Sequence, residues 1–210
     1  MNPYTLLAII TVGVSLLAFQ NRDIMNKLIL YPYVMVRENQ WYRIITHAFI
    51  HADWAHLLFN MIALWSFGNF VYSQIGLFAG AESASIHFYI MYFGAIIFSS
   101  IADVIRQKDN PHYLSLGASG GVSAIIFCAI LFDPWSPVII LFIPCPGIIF
   151  ALIYVIYSSY MGKKGGDNIN HHAHMYGAVF GLLYPLFINP EIYSTFIYNL
   201  LHPDFHGFFS

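Results

Sequence analysis

The sequence predicts an all-α membrane protein, a polytopic bundle of six membrane-spanning helices. Composition is the first reason: 59% of the residues are hydrophobic and 9% are charged, and mean hydropathy is +0.66, a balance found in chains that use lipid as solvent. The second reason is where the charges fall. A spanning helix needs roughly 20 apolar residues to cross about 30 Å of hydrocarbon. Asp, Glu, Lys and Arg are absent from 1–21, 54–81, 83–102, 110–132, 134–162 and 168–190. Helices are therefore expected at about 4–20, 55–77, 84–103, 117–132, 146–161 and 171–188, all within one domain.

The first helix has its apolar heart from Thr5 to Phe19, with no Lys or Arg ahead of it and no small-residue cleavage site. It reads as a retained helix and not as a signal peptide. Between it and the second helix, 22–53 carries Arg22, Lys27, Arg37 and Arg43 together with Pro32, Tyr31, Tyr33, Trp41 and Tyr42. That mixture suits a long structured loop at the membrane interface, where amphipathic rings sit at headgroup level. Pro144 and Pro146 argue against one continuous helix over 137–161. The fifth helix is expected to begin near Pro146, because proline fits a first turn, leaving 134–145 as a buried connection. Asn189-Pro190 ends the sixth, and Ile192, Tyr193, Phe196, Ile197, Leu200 and Leu201 recur at helical spacing. The tail 190–210 is thus read as short and interfacial.

Some functions are set aside at this point. A net charge of −2 offers no basic face for nucleic acid. Cys128 lies in a helix and Cys145 between two prolines, which points to neither a disulfide framework nor a zinc cluster.

Helix direction concentrates the remaining polar groups. The second, fourth and sixth helices all start on one face of the membrane. That brings His56 and Asn60, Ser119, and His174 to a similar depth, and polar groups at membrane depth usually face a protein interior or a wet cavity. His56 and Asn60 are four apart, on one helical face. Gly117-x-x-x-Gly121 and His174-x-x-Gly177-x-x-x-Gly181 provide small-residue faces that allow close helix approach. Where those faces meet, the His174 imidazole comes within reach of the Ser119 hydroxyl, the arrangement that a serine nucleophile and its base require. Taken singly, Gly117–Ala124 also fits a simple packing motif and Asn60 an interhelical hydrogen bond. The coincidence of depth favours the chemical reading.

These residues resemble the rhomboid intramembrane serine proteases. Gly117-Ala118-Ser119-Gly120 is similar to the family's nucleophile motif, with Gly121 following. Ala173-His174-x-x-Gly177-x-x-x-Gly181 is similar to its base motif and His56-x-x-x-Asn60 to its oxyanion-side pair. Arg43 with Thr46-His47-Ala48-Phe49-Ile50-His51 resembles the first-loop signature. The blocks occur in the family's order between Trp41 and about Gly181. The resemblance implies a rhomboid-like bundle of the minimal six-helix bacterial type. It implies an endopeptidase that cuts in or beside the transmembrane segments of membrane protein substrates, within the lipid bilayer. Ser119 would be the nucleophile and His174 the base, with Asn60, His56 and the Ser119 backbone N–H meeting the oxyanion. No cofactor or metal is implied.

Two positions depart from the family pattern. Ser123 stands where an aromatic residue often packs on the base, so stacking of the usual kind is not expected. Tyr42 stands where tryptophan often precedes the loop arginine. No carboxylate is well placed to orient His174; Asp167 lies seven residues earlier in a Gly-rich loop, and a dyad is expected over a triad. The segment Gly162–Gly166 is read either as a gate for water or as a solvated loop.

Two other functions compete. A metal-dependent hydrolase would use His51, His56, His171, His172 and His174, but the sequence has no His-Glu-x-x-His pair. A small transporter or channel would be expected to show pseudo-symmetry between its halves, and none is visible. Orientation is contested as well. All eight Lys and Arg precede the second, fourth and sixth helices, which by the positive-inside rule puts that side in the cytoplasm. The resemblance instead implies a bacterial inner membrane protein whose site opens to the extracytoplasmic side, and that expectation is adopted.

Overall fold

The computed structural model describes residues 1–140, 143–164 and 170–205. Helix α1 covers Pro3–Gln20, and α2 (Arg22–Leu28), α3 (Pro32–Arg37) and α4 (Arg43–Thr46) make up the first loop, closed by a 3-10 turn at His47–Phe49. Then follow α5 (Trp54–Ala79), α6 (Ala84–Gln107) and α7 (Ser119–Phe132). A hairpin of β1 (Pro137–Ile140) and β2 (Ile143–Pro146) leads into α8 (Gly147–Lys164), α9 (His171–Leu183) with a 3-10 extension at Tyr184–Phe187, and α10 (Glu191–Leu201).

The sequence explains how these helices associate. In α1 the buried positions Tyr4, Leu7, Thr11, Ser15 and Ala18 form one stripe at three- and four-residue spacing, and α5 buries Leu57, Asn60, Leu64, Gly68, Val71 and Ile75 in the same way. The two stripes meet at Gly68, where an added Cβ would lie 2.9 Å from the Tyr4 Cβ. Helix α7 is different: apart from Ser119 and Ile126, every residue in it is buried. A helix that is apolar all round belongs in the middle of a bundle, and α7 is enclosed by α5, α6 and α9. The main core consists of Leu64, Val71 and Ile75 of α5, Phe88, Met91, Tyr92 and Ile96 of α6, Ile125 and Cys128 of α7, and Ile192 of α10.

By length and composition, α1 and α6 are each apolar enough to cross a membrane. Helix α5 is long but interrupted by Asn60, Asn69 and Gln74, and α8 ends in Tyr157, Ser158, Ser159 and Tyr160 before its lysines. At 14 residues, α7 is shorter than a spanning helix.

Three expectations need correction. The connection before the fifth helix is a two-stranded antiparallel hairpin with Pro137 opposite Pro146, so the fold is not purely α-helical. It is not buried either, since Ile139 and Ile143 are 72% and 68% exposed. Proline lacks the N–H that a central strand must donate, and these prolines sit in strands that are both sheet edges. Second, the fourth helix begins at Ser119 and not at 117, so Gly117 belongs to the loop. Third, α8 continues through Lys164, which makes Gly162, Lys163 and Lys164 helical. Gly165, Gly166 and Asp167 lie outside the described residues.

Candidate active site

Ser119 is the first residue of α7, after Ala118 at the N-cap, and the loop leading to it is held by histidines. Gly117 has φ +114°, a left-handed conformation that glycine adopts without strain. It has a second reason to lack a side chain: an added Cβ would lie 2.6 Å from Cε1 and 2.8 Å from Nε2 of His56. The His56 ring therefore lies directly on the backbone two residues before Ser119. His56 is fixed in turn by the start of α5, where Asp53 accepts a hydrogen bond from the His56 N–H at 2.7 Å. One turn along α5, buried Asn60 donates to the His56 carbonyl at 2.9 Å.

The first loop braces the same segment. The Gly117 N–H donates to the His47 carbonyl at 2.9 Å. The Ala118 N–H meets His51 Nε2 at 3.4 Å, while His51 Nδ1 pairs with Ser15 Oγ at 3.0 Å and Ser15 donates to the Phe49 carbonyl at 2.9 Å. An acceptor at Nε2 leaves Nδ1 as the donor, so this chain of bonds selects the neutral imidazole. Burial, reinforced by His56 at a ring separation of 4.9 Å, pushes the His51 pKa down to about 3. His47, bonded through Nε2 to Ser100 at 2.8 Å, is pushed by burial to about 4. Arg43, itself buried, reaches back into the loop. It donates to the Asn26 and Ile29 carbonyls at 2.8 and 2.7 Å and to Gln40 at 2.6 Å.

On the other side of α7 lies α9, and no other pair of described elements is in more extensive contact. The small-residue faces do meet, in a different register from the one expected. A Cβ on Gly177 would enter the Gly120 carbonyl, and one on Gly181 the Ala124 carbonyl. Gly120 also faces the Ala173 carbonyl, 3.9 Å from where its Cβ would be. The partners of Gly177 and Gly181 are thus Gly120 and Ala124. Gly121 instead turns toward α6, where its Cβ would lie 2.7 Å from the Tyr92 ring, and Gly117 serves His56. The turn carrying Ser119 and the turn carrying His174 are in backbone contact.

Sequence reasoning missed several supporting residues. Asn170 caps α9, accepting from the Ala173 N–H at 3.0 Å. Its amide approaches Asp103 Oδ2 at 2.5 Å, the Tyr113 hydroxyl at 2.8 Å and Ser115 Oγ at 3.0 Å. The carboxylate near the base motif is therefore Asp103 of α6, and it holds the cap. An Asn immediately before a helix is a legible capping signal; its attachment to Asp103 is not. The second missed residue is Tyr154 of α8, whose ring lies 6.3 Å from that of His174 with planes 18° apart. His174 is stacked after all, by a ring from another helix. Of the other histidines, His172 bonds the Gly162 carbonyl at 3.1 Å and His171 meets His174 edge-on at 6.2 Å.

The rhomboid domain family model matches residues 38–191. The chain belongs to the rhomboid family. That family is membrane-embedded, in keeping with the apolar α1 and α6. Relatives of this rhomboid include RHOMBOID-like protein 12, mitochondrial, of Arabidopsis thaliana. It is 28% identical over 150 residues, covering 68% of the chain and 45% of the relative. Rhomboid protein 1, mitochondrial, of Saccharomyces cerevisiae is 27% identical over 154 residues, 71% of the chain and 42% of the relative. The putative rhomboid protease YdcA of Bacillus subtilis is 25% identical over 148 residues, 70% of the chain and 67% of the relative. The rhomboid chain thus aligns with less than half the length of the two mitochondrial relatives.

Proposed function

We propose that this rhomboid is a multi-pass intramembrane serine endopeptidase that hydrolyses peptide bonds in or next to transmembrane segments of membrane proteins, using Ser119 as nucleophile and His174 as general base. The observation that carries this reading is the backbone contact between the turns bearing Ser119 and His174, which the absence of side chains at Gly120 and Gly177 allows. Proteases among the relatives support the reaction class. Partial exposure of Ser119 in an otherwise buried helix supports its access to substrate.

In the first half-reaction Ser119 Oγ attacks the peptide carbonyl and His174 takes the hydroxyl proton. The imidazolium then protonates the leaving amine, and water hydrolyses the acyl-enzyme with the roles reversed. Negative charge on the tetrahedral oxygen is met by the Ser119 N–H, Asn60 and His56, on the α5 side of the nucleophile. His56 stays close to that position because Gly117 leaves room for its ring. No metal or organic cofactor takes part in this scheme.

The bundle is read as six spans, α1, α5, α6, α7, α8 and α9 with its 3-10 extension. A 14-residue helix such as α7 is about 21 Å long, short of the roughly 30 Å hydrocarbon layer. With Asp133 at one interface, Ser119 lies below the other, where water must reach it. The site is assigned to the extracytoplasmic side; a reporter fused to the C-terminus and read on the cytoplasmic side in intact cells agrees with that assignment, and one read outside overturns it.

The catalytic reading is tested with Ser119→Ala and His174→Ala in the full chain, following cleavage of a membrane-tethered reporter. Each is expected to abolish cleavage while thermal unfolding in detergent is retained. Undiminished cleavage by either folded variant sinks the dyad.

A further inference from the structure

Ser123 is one helical turn after Ser119, on the nucleophile helix, and it is buried. Its hydroxyl lies 2.8 Å from the Tyr154 hydroxyl. The Tyr154 ring, nearly parallel to the His174 imidazole at 6.3 Å, lies within the range of offset aromatic stacking. Tyr154 therefore touches both α7 and α9 while belonging to α8. Its own orientation is fixed by Phe127 of α7 at 5.3 Å and Phe150 of α8 at 5.6 Å. His171 closes the far side of the cluster edge-on to His174, and Tyr157 backs His171 at 5.6 Å. Two residues three apart on α8 thus face two residues three apart on α9.

We infer that Tyr154 is the positioning residue for the His174 imidazole and that Ser123 is the anchor that holds Tyr154 in register with the nucleophile helix. The inference rests on the Ser119–His174 reading. A histidine in the first turn of a helix has two side-chain torsions to fix before its ring nitrogen points at a nucleophile. A flat ring against its face restricts the imidazole plane, and the hydroxyl pair stops the tyrosine from sliding. The small side chain at 123 has a direct purpose in this arrangement: an aromatic ring there would occupy the space that Tyr154 fills.

The test uses the full chain in detergent and in vesicles, comparing Tyr154→Leu, Tyr154→Phe, Ser123→Ala and Ser119→Ala. Three quantities are read: kcat and KM on the membrane-tethered reporter, the pH profile of labelling by a serine-reactive fluorophosphonate, and the thermal midpoint. Misplacing a reacting group by about 1 Å costs about 10²-fold, so Tyr154→Leu is expected to lower kcat roughly 10- to 100-fold with KM little changed. It should also displace the labelling profile by at least about half a pH unit. Tyr154→Phe keeps the ring and should recover most of kcat, matching Ser123→Ala, with both a few-fold below the parent. Parent kcat and pH profile in Tyr154→Leu overturn the inference. If Tyr154→Leu does not fold, the two milder variants decide, and parent values in both overturn it. The readings separate cleanly. A silent Ser119→Ala beside a fully active Tyr154→Leu refutes only the positioning role, whereas cleavage by Ser119→Ala refutes the dyad and this inference with it.

Discussion

At Gly177, the hydrogen that stands in place of a side chain decides how near two helices come. Its absent Cβ would collide with the Gly120 carbonyl, which is main chain and not a movable side chain. Gly177→Ala must push α9 away from α7, and overpacking of this kind typically costs about 1–3 kcal/mol. The expected result is a lower thermal midpoint together with strongly reduced reporter cleavage. A variant with both values unchanged would show that the contact is not needed. Asn60 belongs to the same scale. If its amide leaves the His56 carbonyl to meet a developing oxyanion, Asn60→Ala should slow kcat on the order of 10²–10³-fold. Parent-like turnover in that variant would remove Asn60 from the oxyanion site.

Among the elements, α9 is the one whose placement matters most, and its N-terminus is tied down by Asn170. Loss of a capping side chain costs about 0.5–2 kcal/mol, which Asn170→Ala should show in thermal unfolding. Asn170→Asp separates capping from attachment. It keeps the acceptor for Ala173 N–H but sets a second carboxylate against Asp103. The expectation is that Asn170→Asp is the less stable of the two at neutral pH; the opposite order would mean that only the cap counts. The first loop is fastened on the same principle, by Arg43 donating to carbonyls of the segment before it and by His47 bonding to α6.

For the whole molecule, two buried neutral histidines set an acid limit on stability. His47 and His51 have folded pKa values depressed to about 4 and about 3, against about 6.5 in an unfolded chain. The unfolded state therefore binds more protons between those limits. Their contribution is fully present above about pH 6.5 and is lost as pH falls toward the folded values, at roughly 1.4 kcal/mol per pH unit for each histidine. The thermal midpoint in detergent should drop between pH 7 and pH 5, and His51→Gln should reduce that slope. A flat profile over that range would show that neither ring is held neutral.

Charge-free stretches and prolines mark the ends of α1, α5, α6, α7, α8 and α9 to within a few residues, because apolar composition is a property of each segment by itself. The hairpin at 137–146 was not legible, since three prolines there read as broken chain and strand pairing is a long-range property. The glycine faces were legible as a class, but their register was not. A helical repeat says that Gly177 and Gly181 share a face and cannot say that Gly120 and Ala124 lie opposite. Ser123 looked like a missing aromatic because its partner, Tyr154, is 31 residues away on another helix.

The sequence by itself determined the apolar helical architecture, the family, and which polar residues start helices on a common side. These follow from local composition, helix direction and motif order. Only the tertiary structure decided that Gly117 makes room for His56, that Asp103 supports the α9 cap, and that Tyr154 stacks on His174. Each is a contact between residues far apart in the chain, and distance in space is not written in spacing along it.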